Sequence, residues 1–176
     1  CSSTEILSLF ALYLALFIIL FIFNFFNIVC LSIVNSGSGI CNNDLPLIIH
    51  SRNSFNEIYS IMKAEKIDNI TGIFHCFLGT YEEALKIIEM GFYLGIGGVL
   101  TFKNSMLSEV IKKIDLKHLV LETDSPYLAP HPMRGKRNEP KFLPLIAEKI
   151  SEIHQTTIEE VAKITNHNIN TIFFSK

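Results

Sequence analysis

Tryptophan is absent from this chain of 176 residues, and only 18% of its residues are charged. Neither sign of charge is in excess, since 15 Lys and Arg residues face 17 Asp and Glu residues. A strongly basic domain that binds nucleic acid through its overall charge is therefore excluded, and any phosphate binding must come from a local cluster of cations. The four cysteines form no CxxC pair. This pattern argues against a zinc knuckle or a disulfide framework and favours reduced thiols.

Charge is missing altogether from one N-terminal segment. Residues 6–34 contain no charged side chain and are rich in Phe, Ile, Leu and Asn, and the run is longer than the ~20 residues that a transmembrane helix needs. We therefore predict an N-terminal apolar helix, a candidate membrane span, within a first region of residues 1–41. The first cations after it, Arg52 and Lys63, favour a cytoplasmic position for the rest of the chain. The alternative is mistranslated non-coding sequence in front of a cytoplasmic protein.

The remaining region, residues 42–176, repeats a short apolar run followed by an amphipathic stretch. Such alternation predicts strands and helices of a parallel α/β sheet, with about four βα units and two closing helices. Ser54, Thr80 and Thr157 are each followed three residues later by Glu, which is typical of a helix start. The predicted strands are Leu47–His50, Gly72–His75, Phe92–Ile96 and His118–Glu122.

Three of these strands end in, or just before, a side chain that can bind a metal: His50, His75 and Asp124. The carboxyl ends of parallel strands meet at one edge of a sheet, where the chemistry of α/β folds collects. Imidazole and carboxylate together suit Mg²⁺, Mn²⁺ or Zn²⁺. We therefore predict that these three side chains converge on one rim to bind divalent cations. No catalytic group is assigned.

A long proline-containing loop follows Asp124 and carries three cations, Arg134, Lys136 and Arg137. Guanidinium groups match phosphate oxygens in a bidentate way, so we predict that this turn binds substrate phosphate. Other polar candidates receive a structural interpretation: His118 opens its strand, Cys76 packs, and His154 and His167 lie on the surface of the closing helices. The role of His131 in the loop is left open.

Four segments resemble those of TatD-type deoxyribonucleases, metal-dependent hydrolases of the amidohydrolase-like superfamily. They are Ile49–Arg52, Gly72–Gly79, Gly91–Gly98, and Leu121–Pro130 continued by Arg134–Pro140. The resemblance implies a TIM-type (β/α) barrel with two divalent metal ions (Mg, Mn or Zn) that cleaves DNA. On this basis the four units correspond to strands five to eight, a partial barrel in which His50 and His75 bind one metal and Asp124 the other.

The family's remaining ligands are an HxH pair on the first strand and a Glu on the fourth. No HxH occurs in the chain, and residues 1–40 resemble nothing in the family. We therefore interpret the sequence as the C-terminal half of such an enzyme and expect it to be poorly active alone. DNA is the expected partner, and the open sheet edges favour a homodimer. Two alternatives remain: a hydrolase of another ester or amide on this fold, and an inactive membrane-anchored remnant.

Overall fold

The computed structural model describes residues 30–31, 46–64 and 70–174. Its strands form one sheet in the order in which they occur along the chain. The strands are β1 (Cys30–Leu31), β2 (Leu47–His50), β3 (Gly72–His75), β4 (Phe92–Ile96) and β5 (Leu119–Leu121). β2 to β5 are parallel to one another, and β1 is antiparallel to β2. The α/β class and the four parallel strands are thus confirmed.

Helices follow each parallel strand. They are α1 (Phe55–Ala64), α2 (Tyr81–Glu89), α3 (Leu107–Ile111), α4 (Leu143–His154) and α5 (Ile158–Phe174), with short 3₁₀ turns over Gly98–Thr101, Leu116–His118 and Pro140–Phe142. The predicted start of α2 is confirmed, since the Thr80 hydroxyl accepts from the Glu83 N–H and the Glu83 carboxylate accepts from the Thr80 N–H. Gly91 follows the end of α2 with a φ of +81°, a conformation that glycine adopts without strain.

Both boundaries of β5 differ from the prediction, since the strand ends at Leu121 rather than at Glu122. His118 does not open β5 but closes a 3₁₀ turn. The Asp115 side chain accepts from the Lys117 N–H at 3.0 Å. This local cap stabilises a turn that includes His118, the first residue of the predicted strand. The strand therefore begins one residue later, at Leu119.

The predicted N-terminal apolar helix over residues 6–34 lies outside the described residues except at Cys30 and Leu31. For these two residues the prediction is wrong, because they form a strand that pairs with Ile49 and His50. The outer edge of β2 exposes unpaired N–H and C=O groups, which a second strand satisfies. No helix within residues 46–64 or 70–174 is long and apolar enough to cross a bilayer. The outer edge of β5 pairs with no other described strand, and the homodimer stays a prediction.

The sheet has two unequal faces. The main core lies between one face, helices α1 to α4 and the first turn of α5, and it includes Ile49, Phe74 and Leu94, all almost fully buried. The second face carries Ile73 and Val120, which pack against Ile172 of α5. Successive side chains of a strand point to opposite faces. The residues that share a face with Ile73 and Val120 at the carboxyl ends of the strands therefore form a rim away from the main core.

Candidate metal centre

The sheet register places the two predicted histidine ligands next to each other. His50 and His75 are paired residues at the ends of β2 and β3. Their ring centroids lie 5.8 Å apart with the ring planes tilted by 36°. His75 is buried, whereas His50 is exposed. The two imidazoles are thus neighbours on one rim, as the sequence predicted.

The predicted carboxylate reaches the same rim from β5. Asp124 follows that strand with a φ of 56°, and its Oδ1 lies 3.2 Å from Nε2 of His75. Strand β4 separates β3 from β5, so the contact spans the middle of the parallel sheet. His75 thereby links the two other predicted ligands: His50 lies beside its ring, and Asp124 contacts its outer nitrogen.

A second carboxylate, which sequence reasoning did not single out, contacts the opposite nitrogen of the same ring. Glu122 Oε2 lies 2.8 Å from His75 Nδ1, and Glu122 Oε1 accepts a hydrogen bond from the backbone N–H of Cys76. The signal was present in the sequence. Glu122 lies two residues from Val120, and period-two alternation places it on the face that carries His75.

The charges around His75 set its protonation state. Burial lowers its pKa, but the hydrogen bonds and the negative charges of Asp124 and Glu122 outweigh that effect and raise the pKa to about 10. Without a metal the ring is therefore protonated at neutral pH. Partial burial and the neighbouring His75 lower the pKa of His50, so that imidazole is neutral at pH 7.

Cys76 follows His75 directly, and in the absence of a metal its thiol stays protonated at neutral pH. Burial, followed by the negative charges of Glu122 and Asp124, raises its pKa to about 12. Metals and electrophiles react with the thiolate rather than the thiol. The rim therefore offers imidazole and carboxylate donors.

These donors fit a divalent cation in chemistry but only partly in number. Imidazole plus carboxylate is a set that Zn²⁺ and Mn²⁺ accept. A histidine whose Nδ1–H donates to a carboxylate, with Nε2 facing a second donor, is the usual arrangement of a metal-binding imidazole. Within residues 46–64 and 70–174, however, no three His, Cys, Asp or Glu side chains surround one point closely enough to hold an ion. The described rim therefore supplies a partial donor set.

The basic loop after Asp124 is held at its base by one buried amide. The Asn138 side chain donates to the carbonyl oxygens of Thr123 and Tyr127 and accepts from the Glu139 N–H at 2.9 Å. Asn138 is only 2% exposed. The loop thus leaves from Thr123 and returns to it, and Arg137 directly precedes the residue that closes the loop. An asparagine in a polar loop gives no sequence signal for such a role.

The three predicted phosphate-binding cations, Arg134, Lys136 and Arg137, are all exposed. The Arg134 guanidinium lies 3.6 Å from the centroid of the Phe102 ring. Stacking on an aromatic ring orients a guanidinium while its N–H groups remain open to an anion. The loop that leaves the rim therefore exposes its three cations to solvent.

Comparison with known proteins supplies the context for this geometry. The family model for TatD-related DNases matches residues 41–174. The chain belongs to the TatD-related DNase family. The resemblance inferred from the sequence motifs is thus confirmed.

Curated relatives include an uncharacterized metal-dependent hydrolase, YabD, from Bacillus subtilis, 45% identical over 131 residues that make up 74% of this chain and 51% of the relative. Another, YcfH from Escherichia coli, is 36% identical over 129 residues, 73% of this chain and 49% of the relative. The chain spans about half the length of the curated relatives it matches.

Solved structures agree with the family assignment. The TatD homologue YJJV from Escherichia coli aligns with a TM-score of 0.69 at 28% identity, over 76% of this chain and 51% of that one. A TatD family hydrolase from Entamoeba histolytica aligns with a TM-score of 0.66 at 26% identity, over 75% and 52% of the two chains.

The remaining histidines differ in exposure. His167 is exposed, as predicted, but His154 is half-buried rather than on the surface. The Nε2 atom of His154 is buried and has no hydrogen-bond partner in the described structure. His131 is an exposed loop residue whose backbone N–H donates to Thr101 Oγ1 at 2.8 Å.

Proposed function

We propose that this chain supplies metal ligands and phosphate-binding cations to a TatD-type hydrolase that cleaves phosphodiester bonds in DNA. The single observation that carries the proposal is the contact of His75 with Asp124 at the carboxyl rim of the parallel sheet, 3.2 Å between Nε2 and Oδ1. In this proposal the four parallel strands form part of a TIM-type (β/α) barrel, whose functional groups lie at that rim.

His50, His75 and Asp124 would hold divalent cations, with Mg²⁺, Mn²⁺ and Zn²⁺ all compatible with the donor set. When bound, a cation of this kind supplies positive charge that offsets the charge developing on the phosphate oxygens. Metal binding requires His75 to release its Nε2 proton, because only the unprotonated nitrogen can act as a ligand. Glu122 remains the acceptor for Nδ1–H throughout.

The substrate class follows from the loop cations. Arg134, Lys136 and Arg137 are exposed on a loop that begins and ends beside the metal rim. They would bind backbone phosphates without reading base sequence. This observation favours a phosphodiester over the other esters and amides that the fold class can host.

Metal binding tests the first half of the proposal. Calorimetric titration of the full chain with Mn²⁺ should show binding that is lost in His75→Ala and Asp124→Ala. The exposed histidine of α5 offers a matched control, so His167→Ala should bind as the unsubstituted chain does. Equal affinity of all four proteins would overturn the assignment of ligands.

DNA binding tests the second half. Each phosphate contact contributes about −0.9 to the slope of log K against log salt. Replacing Arg134, Lys136 and Arg137 with Ala should therefore weaken duplex binding and reduce that slope by about 3. A control that removes the exposed Lys112, Lys117 and Lys163 changes net charge equally and should leave the slope nearly unchanged. Identical slopes for the two triple variants would argue against the loop.

Nicking of supercoiled plasmid with Mn²⁺ measures the activity itself. We expect slow or undetectable nicking by this polypeptide alone, because the described rim supplies only a partial donor set. Any nicking that is observed should disappear in His75→Ala. Vigorous nicking that survives this substitution would refute the proposed site.

A further inference from the structure

The contact between Glu122 and His75 crosses an intervening strand. His75 ends β3, Glu122 follows β5, and β4 lies between them. In the register of the sheet Gly95 of β4 pairs with Val120, and it follows Leu94, the partner of Phe74. Gly95 therefore lies directly between the two side chains, on the same face of the sheet.

Gly95 leaves the space that the carboxylate occupies. A Cβ atom added at Gly95 would collide with Oε2 of Glu122 and lie 2.8 Å from its Cδ, closer than real Cβ contacts. Gly95 is itself buried, and its carbonyl oxygen accepts from the Phe77 N–H at 2.9 Å. Burial and this hydrogen bond hold the backbone of Gly95 in place. Any side chain at this position would displace the carboxylate from His75.

We propose that Glu122 is a positioning residue, whose carboxylate spans Gly95 and holds the His75 ring so that Nε2 faces Asp124. Two donors converge on this carboxylate from one short segment: the Nδ1–H of His75 and the backbone N–H of Cys76, each bonded to a different oxygen. The ring and the backbone that carries it are therefore fixed by one group.

The chemistry of the pair requires a carboxylate. Each donor meets a different oxygen of Glu122, so a glutamine in the same position would accept from one donor and place its NH₂ group against the other. An aspartate is one methylene shorter and would not span Gly95. The backbone of Cys76 has a φ of 50°, a region that non-glycine residues adopt only when the surroundings hold them there.

The inference deepens the proposed function and rests on it for its metal-dependent part. A histidine whose Nδ1–H is held by a carboxylate presents Nε2 to a metal in a fixed orientation. Loss of such a partner reduces metal affinity about 10- to 100-fold in other proteins. The same range is expected here when the Glu122 contact is removed.

Two substitutions of neighbouring glycines test the inference with the carboxylate retained. Gly95→Ala should displace the Glu122 carboxylate. Gly97→Ala is the matched control, because the nearest contact of its added Cβ, the backbone oxygen of Glu122, lies at an ordinary distance of 3.7 Å. Glu122→Gln is the second test variant if Gly95→Ala does not fold. Two readouts are used: the ¹⁵N-resolved signal of the His75 Nδ1–H proton in the metal-free chain, and the Mn²⁺ dissociation constant.

In the metal-free chain and in Gly97→Ala, the Nδ1–H proton should be slowly exchanging and shifted downfield. In Gly95→Ala and Glu122→Gln the signal should be lost or move upfield, and the Mn²⁺ dissociation constant should rise about 10- to 100-fold. An unchanged Nδ1–H signal in both test variants would overturn the inference. If the unsubstituted chain binds no Mn²⁺ but the signal still responds to Gly95→Ala, the positioning role stands and the proposed function fails.

Discussion

The amide that closes the basic loop allows a quantitative prediction. Asn138 makes three side-chain hydrogen bonds, two as donor and one as acceptor, and it is almost fully buried. Each bond contributes about 1 kcal/mol net, and an unsatisfied buried partner raises the loss further. Asn138→Ala should therefore reduce the free energy of unfolding by about 3 kcal/mol.

Urea unfolding of the full chain, followed by circular dichroism, measures this loss. Asn104 is exposed, so Asn104→Ala is the matched control and should change stability by less than about 0.5 kcal/mol. Asn138→Asp separates hydrogen bonding from packing. It preserves the size and one acceptor but places a carboxylate oxygen against two carbonyl oxygens, and it should destabilise the fold as well. A loss below about 1 kcal/mol in Asn138→Ala would show that water replaces the amide and would refute the reasoning.

Two further predictions concern stability. Burial lowers the pKa of His154 in the folded chain, so the unfolded state binds more protons as the pH falls below about 6.5, the ordinary histidine value. The free energy of unfolding should decline from that pH down to the pKa of His154 in the folded chain. Urea titrations at several pH values measure this decline, which His154→Gln should make shallower. An unchanged decline in the variant would contradict the burial argument. An alanine at Gly72 would place its Cβ against the carbonyl oxygen of Leu47, a backbone atom of the neighbouring strand. Gly72→Ala should therefore disrupt the pairing of β2 with β3 and lower the melting temperature strongly, while Gly97→Ala should not, and equal melting temperatures would refute this account.

One segment of the chain contributes to both the rim and the loop. Within the segment from Leu121 to Pro140, Glu122 contacts the His75 ring, Asp124 contacts its outer nitrogen, and Asn138 closes the loop. One stretch of chain therefore carries a predicted metal ligand, the carboxylate that contacts His75, and the anchor of the loop predicted to bind phosphate. A substitution in this stretch can affect metal binding without replacing a ligand.

Local signals accounted for much of the fold. The bounds of β2, β3 and β4 agree with the sequence prediction, because each is a short apolar run between turn residues, and the start of α2 followed from Thr80 and Glu83 three positions apart. Where a second local signal competed, the prediction was wrong. Asp115 caps a turn that takes His118 out of β5.

By itself, the sequence determined the α/β class, the family and the three residues that end or follow strands at the rim. Only the tertiary structure decided which groups touch. The His75–Glu122 bond joins residues 47 positions apart, and no local pattern indicates β1 or its pairing with β2. Such contacts depend on sheet register and on the space that Gly95 leaves between two strands. Periodicity reports which face a residue occupies, but it does not report which distant residue lies opposite.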